Sequence, residues 1–217
     1  MTKPSPKILS YGDHAVLVQW NANGFSETVN DAVHELAEIL RQSGKYIEVV
    51  PGYDSLACVI NLGVWSLPSA KAHVEEILNQ HKFGESKTGN LIDIPVNYGG
   101  QYGPDIDTIC AASKLSIDEV ITQHSQQIYR VCMMGFIPGF TFLSPAPAQL
   151  HHPRLETPRI KVPAGSIGIA NWQTGIYGLE SPGGWQIIGR TPLSIFDANR
   201  TAPFLLKAGD RVRFIPQ

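Results

Sequence analysis

Cysteine is scarce in this 217-residue chain: Cys58, Cys110 and Cys132 are the three, far apart and never in a Cys-x-x-Cys pair. That spacing offers neither a disulfide framework nor a thiolate metal site, and buried free thiols suit a reducing, cytoplasmic compartment. Long apolar runs are missing too. No stretch reaches the roughly 20 apolar residues that a membrane helix needs. The opening MTKPSPKILSYGDHAVL has no apolar run ahead of Gly12, Asp13 and His14, so no secretory leader is expected. Excess charge of one sign is the third absence. Lys and Arg number 17 against 19 Asp and Glu, a formal net charge of −2. That balance gives no electrostatic reason to expect nucleic acid or an anionic membrane as partner. What remains is 43% hydrophobic and 17% charged, the make-up of a globular protein with a sizeable core in one large or two ordinary domains.

The first hundred residues alternate between two periods. HAVLVQW (14–20) reads as a strand. SETVNDAVHELAEILRQSG places Val29, Val33, Leu36 and Leu40 at helical spacing, with Ser26 as N-cap and Gly44 as the stop. YIEVV and SLACVINL read as strands joined by the turn PGYD, LPSAKAHVEEILNQH as a second amphipathic helix, and LIDIPVNY as a strand. Strand, helix, two strands, helix, strand is the order of a ferredoxin-like α/β sandwich. At NYGGQYGPD the composition changes, and Gly99, Gly100, Gly103 and Pro104 suggest a domain junction after Tyr98. Two short helices follow, the second opened by Ser116 and Glu119 at capping-box spacing. Beyond Tyr129 short apolar runs such as GSIGIA, WQIIGR, PLSIF and RVRFIP are broken by Gly, Pro, Asn and Asp, the pattern of an all-β barrel or sandwich. The expected fold is α+β, with domains at 1–98 and 99–217.

Residues that could carry chemistry concentrate in the second half. In CMMGFIPGFTFLSP (132–145) three phenylalanines stand where glycine and proline forbid a regular helix. The segment is either an irregular core plug or a stiff apolar wall against a ligand. Between 151 and 190, Arg154, Arg159, Lys161 and Arg190 face only Glu156 and Glu180. Arginine grips a carboxylate or phosphate through two parallel bonds, although loop arginines also serve simply as solvated charge. SPGGW (181–185) reads as an anion nest of amides or as a tight turn into a strand, and it lacks the Lys-Ser/Thr ending of a phosphate loop. His124, at the end of the second short helix, suits either acid–base chemistry or a favourable place at a helix C-terminus. His151 and His152 have no metal-ligand spacing, and neither a Gly-x-Ser-x-Gly elbow nor a cysteine–histidine signature marks a covalent nucleophile. The residues alone describe a two-domain α+β protein with a polar, arginine-bearing pocket in its β half.

Taken in order, PVNYGGQYGPDID, GFIPGFTFL, PRLETPRIKVPAGSIGIA, QTGIY and SPGGWQIIGRTP resemble one known family. It is that of the 5-oxoprolinase B subunit, also described as allophanate hydrolase subunit 1 or KipI-like. GDHAVLVQW and VVPGYDSLACVI extend the resemblance over essentially the whole chain. The resemblance implies a ferredoxin-like N-terminal domain and a cyclophilin-like β-barrel. It implies a hydrolase subunit, inactive alone, whose partners are a homologous, cyclophilin-like C subunit and the A subunit. Their reaction converts 5-oxoproline, ATP and water to glutamate, ADP and phosphate, with no metal site in this chain. An unstrained lactam is resonance-stabilised and hard to open, and phosphorylating its oxygen makes a better leaving group.

Carried over to matching positions, His124, Arg159 and Arg190 are the catalytic candidates. Phe136, Pro138, Phe140, Gln173, Tyr177, Ser181 and Trp185 are the candidates for holding a small amide or lactam. Arg159 or Arg190 would hold a carboxylate or phosphate, Gln173 and Tyr177 the amide, and Gly135 to Leu143 an apolar wall. The chain departs from the family pattern at Asn171 and Trp172, where two glycines are expected, at Gly178, where a proline is, and at Asn97, where a cysteine is common. Competing implications are a KipI-like inhibitor of a histidine kinase and a subunit of a related amide- or urea-metabolising carboxyltransferase or hydrolase. A peptidyl-prolyl isomerase is disfavoured because the Phe-His-Arg segment of active cyclophilins is absent. Without its partner the chain is expected to expose apolar surface and to self-associate.

Overall fold

The computed structural model describes residues 6–20, 24–83 and 89–217. Residues 1–5, part of the stretch read for a leader, lie outside these. The chain divides into two compact units, Met1–Lys87 and Thr88–Gln217. Among the described residues no helix is long and apolar enough to cross a membrane.

The first unit runs β1 (Lys7–Tyr11), β2 (Ala15–Gln19), α1 (Glu27–Gln42), β3 (Glu48–Pro51), β4 (Ser55–Val59) and α2 (Leu67–Gln80). Its strands form an antiparallel sheet in the order β1-β2-β4-β3. Alternation sends Val16, Val18, Leu56 and Cys58 to one face, where they pack with Val33, Leu36 and Leu40 of α1 and Val74 and Ile77 of α2. Each such side chain, fully buried, contributes about 1.5–3 kcal/mol. Ser26 caps α1 through the Val29 amide, and Gly44 follows the helix with φ +67°. One strand differs from expectation. LIDIPVNY does not close this sheet; β1 takes the edge place instead, in register Leu9↔Leu17. Its five residues show almost no alternation in burial, so no periodic signal announced it.

The second unit runs β5 (Leu91–Tyr98), α3 (Ile106–Ser113), α4 (Ile117–Gln126), β6 (Ile128–Met134), β7 (Thr141–Pro145) and a 3-10 turn (Ala148–Leu150). It continues with β8 (Arg159–Val162), β9 (Ser166–Ala170), β10 (Gln173–Ile176), β11 (Ser181–Gly183), β12 (Gln186–Arg190) and β13 (Arg211–Pro216). Seven of these strands close a barrel in the order β10-β7-β6-β13-β5-β12-β9, while β8 and β11 pair as a separate ribbon. LIDIPVNY is β5, the parallel neighbour of β13 with Ile94 opposite Phe214. Ile94, Val96, Val131, Leu143, Ile167, Ile169, Ile176, Ile188 and Phe214 fill the barrel.

The expected boundary after Tyr98 therefore falls inside the second unit. The glycine cluster that suggested a junction is a tight loop docked on β12. The Gly99 amide donates to Ile188 O at 3.0 Å and the Asp105 amide to Ile187 O at 2.9 Å. A Cβ at Gly103 would strike the Ile188 carbonyl, so glycine here permits contact rather than flexibility. The capping box of α4 is present, with Glu119 N to Ser116 Oγ at 3.3 Å and Ser116 N to Glu119 Oε2 at 2.8 Å. Cys58, Cys110 and Cys132 form no disulfide.

Candidate functional site

A second, smaller core lies on the outside of the barrel wall. Along β9 and β10, Ile167, Ile169 and Ile176 point inward, so the alternate residues Gly168 and Gly175 face out. These two glycines are register partners, and together they make a floor without side chains. Trp185 lies on it: a Cβ at Gly175 would come within 3.2 Å of the indole and 3.3 Å of the Phe140 ring. Phe140, Val162, Ala170, Tyr177, Trp185 and Ile187 form the cluster, with Ile137 and Phe142 against it. Phe140 is its hub, 4.8 Å from Tyr177, 4.6 Å from Phe142, 5.3 Å from Trp185 and 5.6 Å from Phe136, mostly edge-to-face.

Part of the phenylalanine-rich segment is thus a core plug, and part of it stands in water. Phe140 is buried, Phe142 partly so, while Phe136 is 67% exposed. Phe136 also has φ +68°, a backbone state that costs a non-glycine residue about 1–2 kcal/mol. Pro138 is exposed beside it. The turn holds an aromatic ring out in water at a conformational cost.

Polar groups at this cluster are incompletely bonded. Tyr177 is fully buried, and its O–H has no acceptor among the described residues. Burial pushes its phenol up to about 12, against the opposing pull of the Trp185 amide and the guanidinium groups of Arg154 and Arg159. Arg159 is held from one side, with Nη2 at 2.6 Å from Asp105 Oδ1, while its Nη1 is buried without a partner among the described residues. Gln186, next after Trp185, bonds Pro153 O through its amide nitrogen at 3.1 Å, and its oxygen has no donor among the described residues. Arg154 stands 5.9 Å over the Trp185 ring. Among the described residues no group of three or more His, Cys, Asp or Glu is arranged to hold a metal ion.

The other expected site residues are distributed around this cluster. Gln173 shares the outward parity of Gly175 and Tyr177, but sits at the opposite end of β10. Arg190 ends β12, its guanidinium 5.1 Å from the Tyr102 ring. Both arginines are therefore tied to the loop that carries Tyr102 and Asp105. Ser181 is buried and gives its hydroxyl to Pro182 O at 3.2 Å. His124 lies elsewhere, in the barrel interior with no exposure. Its Nδ1 is 2.8 Å from Tyr98 Oη, its Nε2 3.0 Å from Thr174 Oγ1, and the ring stacks on Phe214 at 4.7 Å. Burial lowers its pKa to about 3, so it stays neutral. Both nitrogens are engaged, which matches the structural alternative for this residue.

SPGGW is β11 and the turn into β12, and Tyr177 Oη occupies the place a Gly183 side chain would take. With that face covered, the segment is a turn packed on Tyr177. The departures from the family pattern are accommodated locally. Asn171 adopts φ +54°, which asparagine tolerates in place of glycine. Trp172 stands in the β9–β10 turn, 39% exposed. A Cβ at Gly178 would strike the Gly139 backbone, so the expected proline has no room there. Sequence reasoning missed Asp105, which looks like an ordinary helix cap, and Gln186, which sits in an apolar strand.

Comparison with known proteins agrees with this architecture. The family described as Carboxyltransferase domain, subdomain C and D, matches residues 6–206. The chain is 37% identical to the 5-oxoprolinase B subunit of Bacillus subtilis over 96% of its length and 92% of the relative's. It is 41% identical to the 5-oxoprolinase B subunit of Haemophilus influenzae over 82% of its length and 83% of the relative's. Among solved structures it is similar to TTHA0988 at 33% identity and TM-score 0.80, over 94% of this chain but 39% of that one. A conserved uncharacterized protein from Pyrococcus horikoshii is 40% identical over 97% of both chains, with TM-score 0.58. The Kluyveromyces lactis urea amidolyase, at 17% identity and TM-score 0.83, shares the fold, with this chain spanning 15% of its length. With its relatives matched nearly end to end, the chain belongs to the family of the 5-oxoprolinase B subunit, built on the carboxyltransferase subdomain C and D fold.

Proposed function

We propose that this chain is the non-autonomous B subunit of an ATP-dependent 5-oxoprolinase. Its partners in the cytoplasm are a homologous, cyclophilin-like C subunit and the A subunit. The observation that carries the reading is 37% identity with a 5-oxoprolinase B subunit, spread over 96% of the chain and 92% of the relative. The outer cluster is where a small ring would dock. Trp185 and Phe140 supply the buried apolar packing, Phe136 and Pro138 stand exposed at the rim, and Tyr177 and Arg159 keep hydrogen-bonding capacity unused among the described residues. Arg190 and Gln173 supply further polar contacts, with the site completed at the interface with the C subunit. Ser181 and His124 act through the scaffold, since their polar atoms are already engaged. ATP is used by the assembled complex, and no step through it is assigned to residues of this chain.

The test is ATP-dependent release of glutamate from 5-oxoproline, with this chain alone, with the A and C subunits, and with the chain omitted. Activity only in the complete mixture is the expected result. Absence of activity in a complete mixture of folded, assembled subunits would overturn the reading.

A further inference from the structure

Asp105 occupies the N-cap of α3 but does not cap it. A residue of this type at that place ordinarily bonds the helix amides, at a gain of about 1 kcal/mol. Here both carboxylate oxygens are turned elsewhere: Oδ1 takes Arg159 Nη2 at 2.6 Å, and Oδ2 takes the Ile187 amide at 2.6 Å. The Asp105 amide also donates to Ile187 O at 2.9 Å, so the carboxylate is fixed to β12 from two sides. The effect is to hold one edge of the Arg159 guanidinium still and to leave Nη1 buried and unpartnered.

Tyr177 Oη lies on the same face. Gly183 is the register partner of Arg159 across the β8–β11 ribbon, and the hydroxyl fills the position of the missing Gly183 side chain. Side chains of directly opposed residues share a face and start roughly 5 Å apart. The unused O–H and the unused N–H are therefore placed on one face of the ribbon, and the Arg159 charge is felt at the Tyr177 phenol. The net charge there is close to zero, because Asp105 compensates Arg159 and, farther along the ribbon, Glu180 pairs Lys161 at 2.8 Å. Arg154 at the rim is solvent-exposed, where its charge is screened. A polyanion gains little from such a place, whereas a neutral oxygen acceptor gains two aimed donors.

We propose that Arg159 Nη1 and Tyr177 Oη form a two-donor cradle for the carbonyl oxygen of a small neutral amide, and that Asp105 is the residue that positions it. This assigns Arg159 to the amide rather than to a phosphate, and it rests on the 5-oxoprolinase reading above only for the identity of the amide. Burial keeps the Tyr177 phenol protonated at neutral pH, as a donor requires. The competing occupant is a trapped water bonded to both groups.

The experiment follows the arginine side-chain NMR signals of the full chain, alone and after adding the A and C subunits, titrated with 2-pyrrolidinone, acetate or inorganic phosphate. The expected result is a shift of the Arg159 signal by 2-pyrrolidinone, weakened about tenfold in Tyr177→Phe and in Asp105→Asn. The double variant should be weakened less than the product of the two effects. Tyr177→Phe should lower the melting temperature only slightly, since the phenol O–H gives up no acceptor and only the Trp185 amide loses the phenol oxygen. No shift with 2-pyrrolidinone in either state, as a trapped water predicts, overturns the cradle, and so does tighter binding of phosphate. In the assembled enzyme the same two variants should raise KM for 5-oxoproline about tenfold. Unchanged KM alongside normal wild-type turnover would overturn the cradle and spare the 5-oxoprolinase reading. If the wild type turns over no 5-oxoproline, that reading fails and the 2-pyrrolidinone shift still decides the cradle.

Discussion

The inside and the outside of the barrel wall treat polar side chains in opposite ways. Inside, His124 bonds Tyr98 and Thr174 through its two nitrogens, Thr174 donates on to Gly168 O at 3.1 Å, and Tyr129 donates to the His124 carbonyl at 2.9 Å. Outside, Tyr177 and Arg159 are just as firmly placed but each keeps a polar group unused. A buried group left unbonded costs roughly 1–3 kcal/mol, so closed networks are what stability alone produces. The open groups on the outer face are the ones the proposed cradle would use. Histidine is the more familiar catalytic residue, yet in this molecule arginine and tyrosine hold the open positions.

The largest effect is expected from breaking the closed side. His124→Ala removes a stacked ring, strands the Tyr98 hydroxyl and takes away one of the partners of Thr174 Oγ1, and should cost about 3–5 kcal/mol. A urea midpoint within error of wild type would show that the inner network is not structural.

A pH series sharpens the same point. The folded pKa of His124 is about 3, below the 6.5 of the free side chain. The unfolded chain therefore binds this proton first. Stability from this group is complete above pH 6.5 and is lost as pH falls from there toward 3, by up to about 1.4 kcal/mol per unit. Urea titrations at pH 7, 6, 5 and 4 should show that slope in wild type and a flatter one in His124→Asn. Equal slopes would place the titrating group elsewhere.

On the open side the expected pattern reverses, with function moving more than stability. Gly183→Ala puts a methyl where the Tyr177 hydroxyl lies. It should cost about 1–3 kcal/mol through overpacking and abolish turnover by the assembled complex. Retained turnover would remove Tyr177 from the site. The smallest change in stability belongs to Phe136→Gly. Removing an exposed ring at φ +68° should leave stability unchanged or raise it by up to about 1 kcal/mol. Activity or binding of the C subunit should nonetheless fall, and if neither falls, the ring is not held out for a purpose.

Much of the fold was legible because periodicity is local. The apolar spacing of α1 and α2, the Ser26 cap and the Ser116–Glu119 box can each be read within a few residues, and each is present. β1 and the place of β5 were not legible. Whether a strand such as LIDIPVNY joins one sheet or another depends on its partner, here β13 at the far end of the chain. Glycine was ambiguous for a related reason. The cluster at 99–103 makes a linker in free chain and a close contact when Ile188 lies against it.

By itself the sequence determined the two-unit α+β architecture and the aromatic and cationic inventory of the β half, together with the motifs shared with its relatives. Tertiary structure alone decided what each polar residue does. Arg159 is anchored by a residue 54 positions away, and Asp105 is turned from its helix by an amide 82 positions away. His124 is neutral because the barrel closes around it. A side chain's charge state and free valences follow from burial and partners, and those are set by contacts between segments that no local pattern records.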